Sequence, residues 1–253
     1  MPFVSVRGHR LEVERIAGAR AAAPTLVFLH EGLGSVALWR DYPAKLAALK
    51  GLPAVIYSRW GYGKSDRLGV RRAVRYMHDE ALEALPELLG VLDVSNPILI
   101  GHSDGASIAL IHAGSGRWPV RALILEAPHV FVEDVTVASI EQAKTIYRTS
   151  DLGKRLARYH DDPDDAFWGW NHIWLDPAFR AWNIEEYLPG VRCPVLAIQG
   201  ADDEYGTLTQ LDAIERGVRG PVVRRVLANC KHSPHRDQEA LTVEAIAKFI
   251  KKI

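Results

Sequence analysis

Cysteine is scarce in this 253-residue sequence. Cys193 and Cys230 are its only two, which is too few for a disulfide framework. They form no Cys-x-x-Cys pair and no Cys/His spacing typical of zinc. His232 and His235 stand close together, but no third ligand lies at a recognisable spacing from them. We therefore expect two reduced thiols and no metal site.

The sequence also lacks an excess of charge of either sign. Its 31 Lys and Arg balance its 31 Asp and Glu, so no long-range field favours nucleic acid or an anionic membrane surface. No apolar run approaches the roughly 18 residues that cross a bilayer, and the first 14 residues are unlike a signal peptide. We expect a cytoplasmic enzyme with a small-molecule substrate and no nucleic-acid or membrane partner, and a homodimer remains open.

Short aliphatic and β-branched runs alternate with segments of helical periodicity along most of the chain. Eight such runs predict strands, at 4–6, 11–16, 25–29, 54–57, 97–100, 122–125, 194–198 and 222–227. This alternation predicts an α/β fold with an eight-stranded, mostly parallel sheet and helices on both faces. The first two runs are close in sequence and predict an antiparallel hairpin at one edge.

One region interrupts this alternation. Residues 131–192 contain helical patterns and no convincing strand, and they are rich in tryptophan. We predict a helical lid inserted between the sixth and seventh strands, with 1–130 and 193–253 forming the core domain. Three tryptophans are candidates for lining a substrate pocket, although each also suits the core of the lid: Trp168, Trp170 and Trp174.

The most informative motif is Gly-x-Ser-x-Gly at 101–105, which directly follows the fifth predicted strand. A serine on a sharp strand-to-helix turn has its hydroxyl exposed at the carboxyl edge of the sheet, and the glycines tolerate the strained backbone. Ser103 is therefore the candidate nucleophile. A serine hydroxyl needs a base that takes its proton and a carboxylate that orients this base.

Candidates for both partners follow in the order serine, acid, histidine. Asp202 and Asp203 come after the seventh predicted strand, and His232 and His235 come after the eighth. Open α/β sheets place their sites at such carboxyl ends of strands. Three further histidines near strand ends are expected to be hydrogen-bonded structural residues: His30, His102 and His129.

These loops, in this order, resemble the α/β-hydrolase superfamily, and the resemblance extends over nearly the whole chain. It implies the α/β-hydrolase fold and a cofactor-free serine hydrolase with Ser103 as the nucleophile. The superfamily's Gly-x-x-Asp pattern, counted from Gly200, selects Asp203 as the acid. The first histidine after the last strand, His232, corresponds to the base, with His235 as the alternative.

The loop after the third predicted strand is similar to the superfamily's His-Gly oxyanion loop. The resemblance implies two backbone N–H donors for the oxyanion, one from Asp104 and the other from Gly32 or Leu33. Glu31 stands where the second glycine is usual, and its side chain is a candidate substrate contact. Ser58 replaces the aspartate that usually begins the turn after the fourth strand.

Asp104 and the sequence Lys231-His232, with His235 beyond it, are similar to the valacyclovir hydrolase (biphenyl hydrolase-like) branch, whose members cleave α-amino acid esters. In that branch the acidic residue after the nucleophile binds the substrate ammonium, so Asp104 is a candidate substrate-binding residue, and His235 is a further one. An aspartate in the first turn of a helix is also stabilised by the helix dipole without any ligand. Both interpretations of Asp104 stay open.

Three functions are compatible with these motifs. The leading hypothesis is hydrolysis of an ester, thioester, lactone or amide through an acyl-enzyme. Meta-cleavage product hydrolases use a similar triad and lid to hydrolyse a carbon–carbon bond in a vinylogous diketone. A ligand receptor on the same fold would keep the triad but turn over slowly or not at all.

Overall fold

The computed structural model describes residues 3–19 and 23–253, which contain one eight-stranded sheet. Its strands are β1 (Phe3–Val6), β2 (His9–Ile16), β3 (Leu26–Leu29), β4 (Ala54–Tyr57), β5 (Ile98–His102), β6 (Ala122–Glu126), β7 (Val195–Gly200) and β8 (Val222–Leu227). Their spatial order is β1-β2-β4-β3-β5-β6-β7-β8, and β2 is antiparallel to both of its neighbours. The sheet is otherwise parallel, as predicted, and the expected hairpin forms one edge.

Helices connect the strands. The α-helices are α1 (Tyr42–Lys50), α2 (Tyr76–Asp79), α3 (Leu85–Val91), α4 (Asp104–Gly114), α5 (Asp134–Thr149), α6 (Leu152–Leu156), α7 (Pro163–Trp174), α8 (Thr209–Gly217), α9 (Pro234–Asp237) and α10 (Glu239–Ile250). A π-helical turn at Glu80–Ala84 joins α2 to α3, and short 3-10 helices lie at Ala37–Trp39, Pro177–Ala181 and Glu185–Gly190. Among the residues described, no helix combines the length and apolarity needed to cross a membrane.

The alternation of side chains along the strands divides the core into two layers. Val27 and Leu29 of β3 contact a cluster that includes residues of α3, α4 and α8. Leu26 and Phe28 of the same strand contact a second cluster, which includes residues of α1 and α10. Every residue of β3 is buried, because a parallel strand covered on both faces is apolar throughout. Helices therefore cover both faces of the sheet, as predicted.

The segment between β6 and β7 contains α5, α6 and α7, followed by two 3-10 helices. Helices α5 and α7 pack on each other, and an isolated bridge pairs Phe131 with Asn183. The last 3-10 helix, Glu185–Gly190, instead packs on α4, since a Cβ at Gly190 would lie 1.8 Å from the Gly114 carbonyl oxygen. By its contacts, this final part of the predicted 131–192 lid lies with the core.

Candidate active site

Ser103 lies on a tight turn between β5 and α4. Its φ of 52° falls in the left-handed region, which strains a residue other than glycine. The flanking glycines permit the turn: a Cβ at Gly101 would lie 2.4 Å from the Gly105 carbonyl oxygen, and one at Gly105 would lie 2.0 Å from the Leu29 carbonyl oxygen. Helix α4 therefore starts in close contact with β3, and Ser103 is held at the carboxyl edge of the sheet.

His232 and Asp203 lie beside Ser103. His232 Nε2 is 3.0 Å from Ser103 Oγ, and His232 Nδ1 is 2.8 Å from Asp203 Oδ1. Asp203 also accepts hydrogen bonds from the Tyr205 backbone N–H (2.9 Å) and from Gln199 Nε2 (3.1 Å). Burial by itself would raise the pKa of Asp203, but His232 and the Tyr205 amide lower it to about 2. The carboxylate is therefore charged at neutral pH and directs the Nδ1–H of His232 toward itself.

His235, the alternative base, lies apart from Ser103. Its Nδ1 is 2.7 Å from Glu126 Oε2, and Tyr42 donates its hydroxyl to Glu126 Oε1 at 2.7 Å. The His235 side chain is only 3% exposed and does not line the cavity at Ser103. The expectation of a base or substrate contact at His235 therefore does not fit this geometry, because the ring is enclosed in a buried acid–histidine pair.

A second acid–histidine pair supports the loop that carries His232. His102 Nε2 donates to the His232 backbone oxygen at 2.7 Å, and His102 Nδ1 lies 3.4 Å from Glu31 Oε2. Burial would lower the pKa of His102, but Glu31 outweighs this effect and raises it. Burial would raise the pKa of Glu31, yet His102 and Arg236 hold it well below its usual range. Glu31 lines the cavity, and its carboxylate has counter-charges from its own chain.

A cavity of about 460 Å³ lies over Ser103. Gly32 and Leu33 line it, together with Trp170 and Trp174 of α7. Trp170 packs directly on the loop, since a Cβ at Gly32 would lie 2.2 Å from its indole ring. Within residues 3–19 and 23–253, the backbone N–H groups of Gly32 and Leu33 donate to no protein acceptor. Gly32 and Leu33 therefore both stay predictions for the second oxyanion donor.

Trp168 lies outside this cavity. Its ring stacks on His172, and the Arg148 guanidinium lies 5.2 Å from the ring centre. A helix repeats every 3.6 residues, so Trp170 and Trp174 share one face of α7 while Trp168 lies on the opposite one. The expected substrate contact at Trp168 therefore does not fit the structure, whereas the other two tryptophans line the site.

Asp104 is fully buried and does not line the cavity either. Its carboxylate accepts hydrogen bonds from the Tyr76 hydroxyl (2.7 Å) and Trp174 Nε1 (3.3 Å), and it lies 3.5 Å from Arg59 Nη2. The cation that neutralises Asp104 thus belongs to the protein itself. No sequence motif marks Arg59 for this role; the one signal is a charged residue two positions after the buried strand β4.

His129 differs from the structural role expected of it. Its ring lines the cavity with its centre 5.5 Å from that of His232, and its Nδ1 has no hydrogen-bond partner among the described residues. Burial, followed by the nearby His232, lowers the pKa of His129 to about 3. A neutral ring at this position avoids a second positive charge beside His232.

The turn after β4 contacts a carboxylate from another strand, although Ser58 replaces the usual aspartate. Glu12 of β2 accepts hydrogen bonds from Ser58 Oγ (2.8 Å) and from the Lys64 backbone N–H (3.0 Å). Ser58 Oγ in turn accepts one from the Val36 backbone N–H (2.9 Å). The carboxylate of Glu12, on the neighbouring strand, is therefore present where the motif's aspartate is missing.

The Arg59–Asp104 pair predicts a large effect on stability. We expect Arg59→Met to lower the free energy of unfolding by about 3–5 kcal/mol, because it leaves a buried carboxylate without its counter-charge. Urea denaturation at neutral pH measures this loss. The double variant Arg59→Met/Asp104→Asn should recover part of it, since the uncompensated charge is then absent.

An exposed arginine provides the matched control. Arg67 pairs with Asp162 at the surface with its side chain 74% exposed, so Arg67→Met should cost no more than about 1 kcal/mol. Equal losses in Arg59→Met and in the double variant would contradict the proposed charge pairing.

Comparisons with known proteins agree with this architecture. A family model described as "Alpha/beta hydrolase family" matches residues 26–245. A proline iminopeptidase of Saccharolobus solfataricus is 23% identical over 99% of this chain and 96% of its own length. Serine hydrolase BPHL of Mus musculus is 23% identical over 92% of this chain and 80% of its own.

Solved structures extend the likeness to the fold. The enol-lactonase of Burkholderia xenovorans superposes with a TM-score of 0.75 at 17% identity, over 99% of this chain and all of its own. An esterase of Thermogutta terrifontis superposes with a TM-score of 0.77 at 16% identity, over 99% and 98% of the two chains. Since the family model spans most of the sequence and the sheet has the matching topology, the chain belongs to the alpha/beta hydrolase family.

Proposed function

We propose that the chain is a cofactor-independent serine hydrolase that cleaves an ester, thioester, lactone or amide of a small molecule through an acyl-enzyme. The observation that carries this proposal is the line of contacts from Ser103 Oγ through His232 to Asp203, at the wall of a cavity. The strained backbone of Ser103 supports it, because such strain clusters at functional sites.

The arrangement of Ser103, His232 and Asp203 suits acyl transfer in two steps, acylation of the serine and hydrolysis of the acyl-enzyme. His232 Nε2 takes the proton of Ser103 Oγ as that oxygen attacks the acyl carbon. Backbone N–H groups, from the residue after the nucleophile and from the loop after β3, stabilise the negative charge on the carbonyl oxygen. The imidazolium, held by Asp203, then protonates the leaving group. In the second step, water attacks the acyl-enzyme in the same way, with His232 as the base, and the acid is released.

Peptides with a free amino terminus suit the cavity less well than esters do. The names of the relatives include a proline iminopeptidase, and such a substrate carries an ammonium that needs a carboxylate partner. Among the residues that line the cavity, Glu31 is the one acid, and His102 and Arg236 neutralise it. The nearby Asp104 is occupied by Arg59. We therefore propose carboxylic esters over amino-terminal amides.

A substrate panel at neutral pH tests the proposal. We expect many turnovers per chain with p-nitrophenyl butyrate, and far lower activity with a prolyl anilide and with a ring-fission vinylogous diketone. A preference for the diketone would favour the carbon–carbon hydrolase instead. Release of one equivalent of product followed by none would favour the ligand receptor.

A further inference from the structure

The cavity at Ser103 is lined by four arginines and a single carboxylate, that of Glu31. The arginines come from three separate parts of the chain. Arg40 follows the 3-10 helix Ala37–Trp39, and Arg236 lies in α9. Arg155 lies in α6, and Arg158 comes just after it. Segments distant in sequence thus converge to place positive charge around one cavity.

Two of these arginines are exposed and lack a close carboxylate partner among the described residues. Within the described part of the chain, neither Arg40 nor Arg158 has a carboxylate oxygen within the 4.0 Å of an ion pair. Arg155 pairs with Asp151 at 3.2 Å, but both side chains are more than half exposed, and exposed pairs of this kind are weak. The cavity therefore keeps an excess of positive charge.

The remaining wall is largely apolar. Leu33, Ile140, Leu156 and Trp170 line the space that Ser103 and the arginines share. A carbon chain or ring fits such a wall, because burying apolar surface there is favourable. A guanidinium favours a carboxylate or another planar anion, which it can bind through two parallel hydrogen bonds.

We propose that the substrate carries an anionic group, with carboxylate as the simplest case, in addition to the scissile bond, and that Arg40 and Arg158 bind it. The inference rests on the proposed serine hydrolase function and narrows its substrates to compounds such as the monoester of a dicarboxylic acid. The charge of such a substrate is opposite in sign to that of an aminoacyl ester, which the sequence left open. For the ammonium of an aminoacyl ester the cavity offers no free carboxylate.

Three methyl esters of matched chain length test the sign of the charge. They are monomethyl adipate, methyl hexanoate and methyl 6-aminohexanoate, which are anionic, neutral and cationic. At low ionic strength we expect kcat/KM for the anionic ester to exceed that of the neutral one about tenfold, with the cationic ester slowest. High salt should reduce this preference, since it screens exposed charges.

Two charge-matched double variants locate the effect. Arg40→Gln/Arg158→Gln should bring the anionic-to-neutral ratio of kcat/KM close to one. Arg216→Gln/Arg219→Gln alters two exposed arginines outside the cavity wall and changes the net charge equally, so it should keep the wild-type ratio. A ratio that is unaffected by the cavity pair, or that falls equally in both variants, would overturn the inference.

Binding to the Ser103→Ala variant separates this inference from the proposed function. By calorimetry, this variant should bind monomethyl adipate about tenfold more tightly than methyl hexanoate. Such a preference without any turnover by the wild type would contradict the proposed hydrolase function but support the proposed anion site. Turnover of all three esters with no preference would contradict the anion site and keep the hydrolase. Absence of both preference and turnover would overturn both.

Discussion

Ser103→Ala is expected to lower kcat for ester hydrolysis by about 10⁵- to 10⁶-fold. Alanine has no oxygen that can attack the acyl carbon, so no acyl-enzyme forms. The oxyanion donors are backbone groups and survive the change, so a small residual rate from binding and charge stabilisation remains. Steady-state hydrolysis of p-nitrophenyl butyrate measures the loss.

The control for this variant lies at the other end of the same helix. Ser115 follows α4, where its hydroxyl donates to the His112 carbonyl oxygen, and Ser115→Ala should keep the wild-type kcat. Circular dichroism and urea denaturation establish that both variants are folded. A folded Ser103→Ala protein that retains a tenth of the wild-type kcat would exclude Ser103 as the nucleophile.

Asp203→Asn is expected to lower kcat by about 10⁴-fold. In the wild type the charged carboxylate accepts the Nδ1–H of His232, which leaves Nε2 free to take the proton of Ser103. An asparagine amide can donate to Nδ1 instead, which favours the tautomer with hydrogen on Nε2. That ring cannot act as a base toward Ser103, although its position is unchanged.

The neighbouring Asp202 is a matched control for Asp203. Its side chain is exposed, and it takes no part in the contacts of His232. Asp202→Asn should therefore change kcat by no more than about twofold, as surface substitutions usually do. Equal losses of kcat in the two variants would show that negative charge in this loop, rather than orientation of His232 by one carboxylate, is what matters.

The fold and the order of the candidate catalytic loops can be predicted from the sequence, because they depend on the burial of short segments and on steric contacts at single residues. A strand covered on both faces is mostly apolar, so β3 and the start of β5 at 98–100 stand out as short apolar runs. Gly101 and Gly105 are required because any Cβ would collide with backbone atoms. The elbow is therefore visible in the sequence as a steric necessity.

The environment of the site depends on side chains that are remote in sequence. The local pattern around Asp104 fits both stabilisation by the helix dipole and an ammonium site, and only the buried Arg59 after another strand distinguishes them. The helical repeat separates Trp168 from Trp170 and Trp174, but only the packing of Trp170 on Gly32 shows which face of α7 meets the cavity. The positive cavity likewise combines three segments, and the basic run at 154–158 by itself does not show that it meets Arg40 and Arg236 there.

Labelling with a fluorophosphonate, followed by mass spectrometry of the peptides, tests the proposed chemistry most directly. This reagent forms a covalent bond with a serine whose proton is taken by a nearby base, whatever the natural substrate is. We predict one phosphonate per chain, attached to Ser103, and none on the folded Ser103→Ala variant. A folded wild-type protein that remains unlabelled, or that is labelled at another residue, would contradict the assignment of Ser103 as the activated nucleophile.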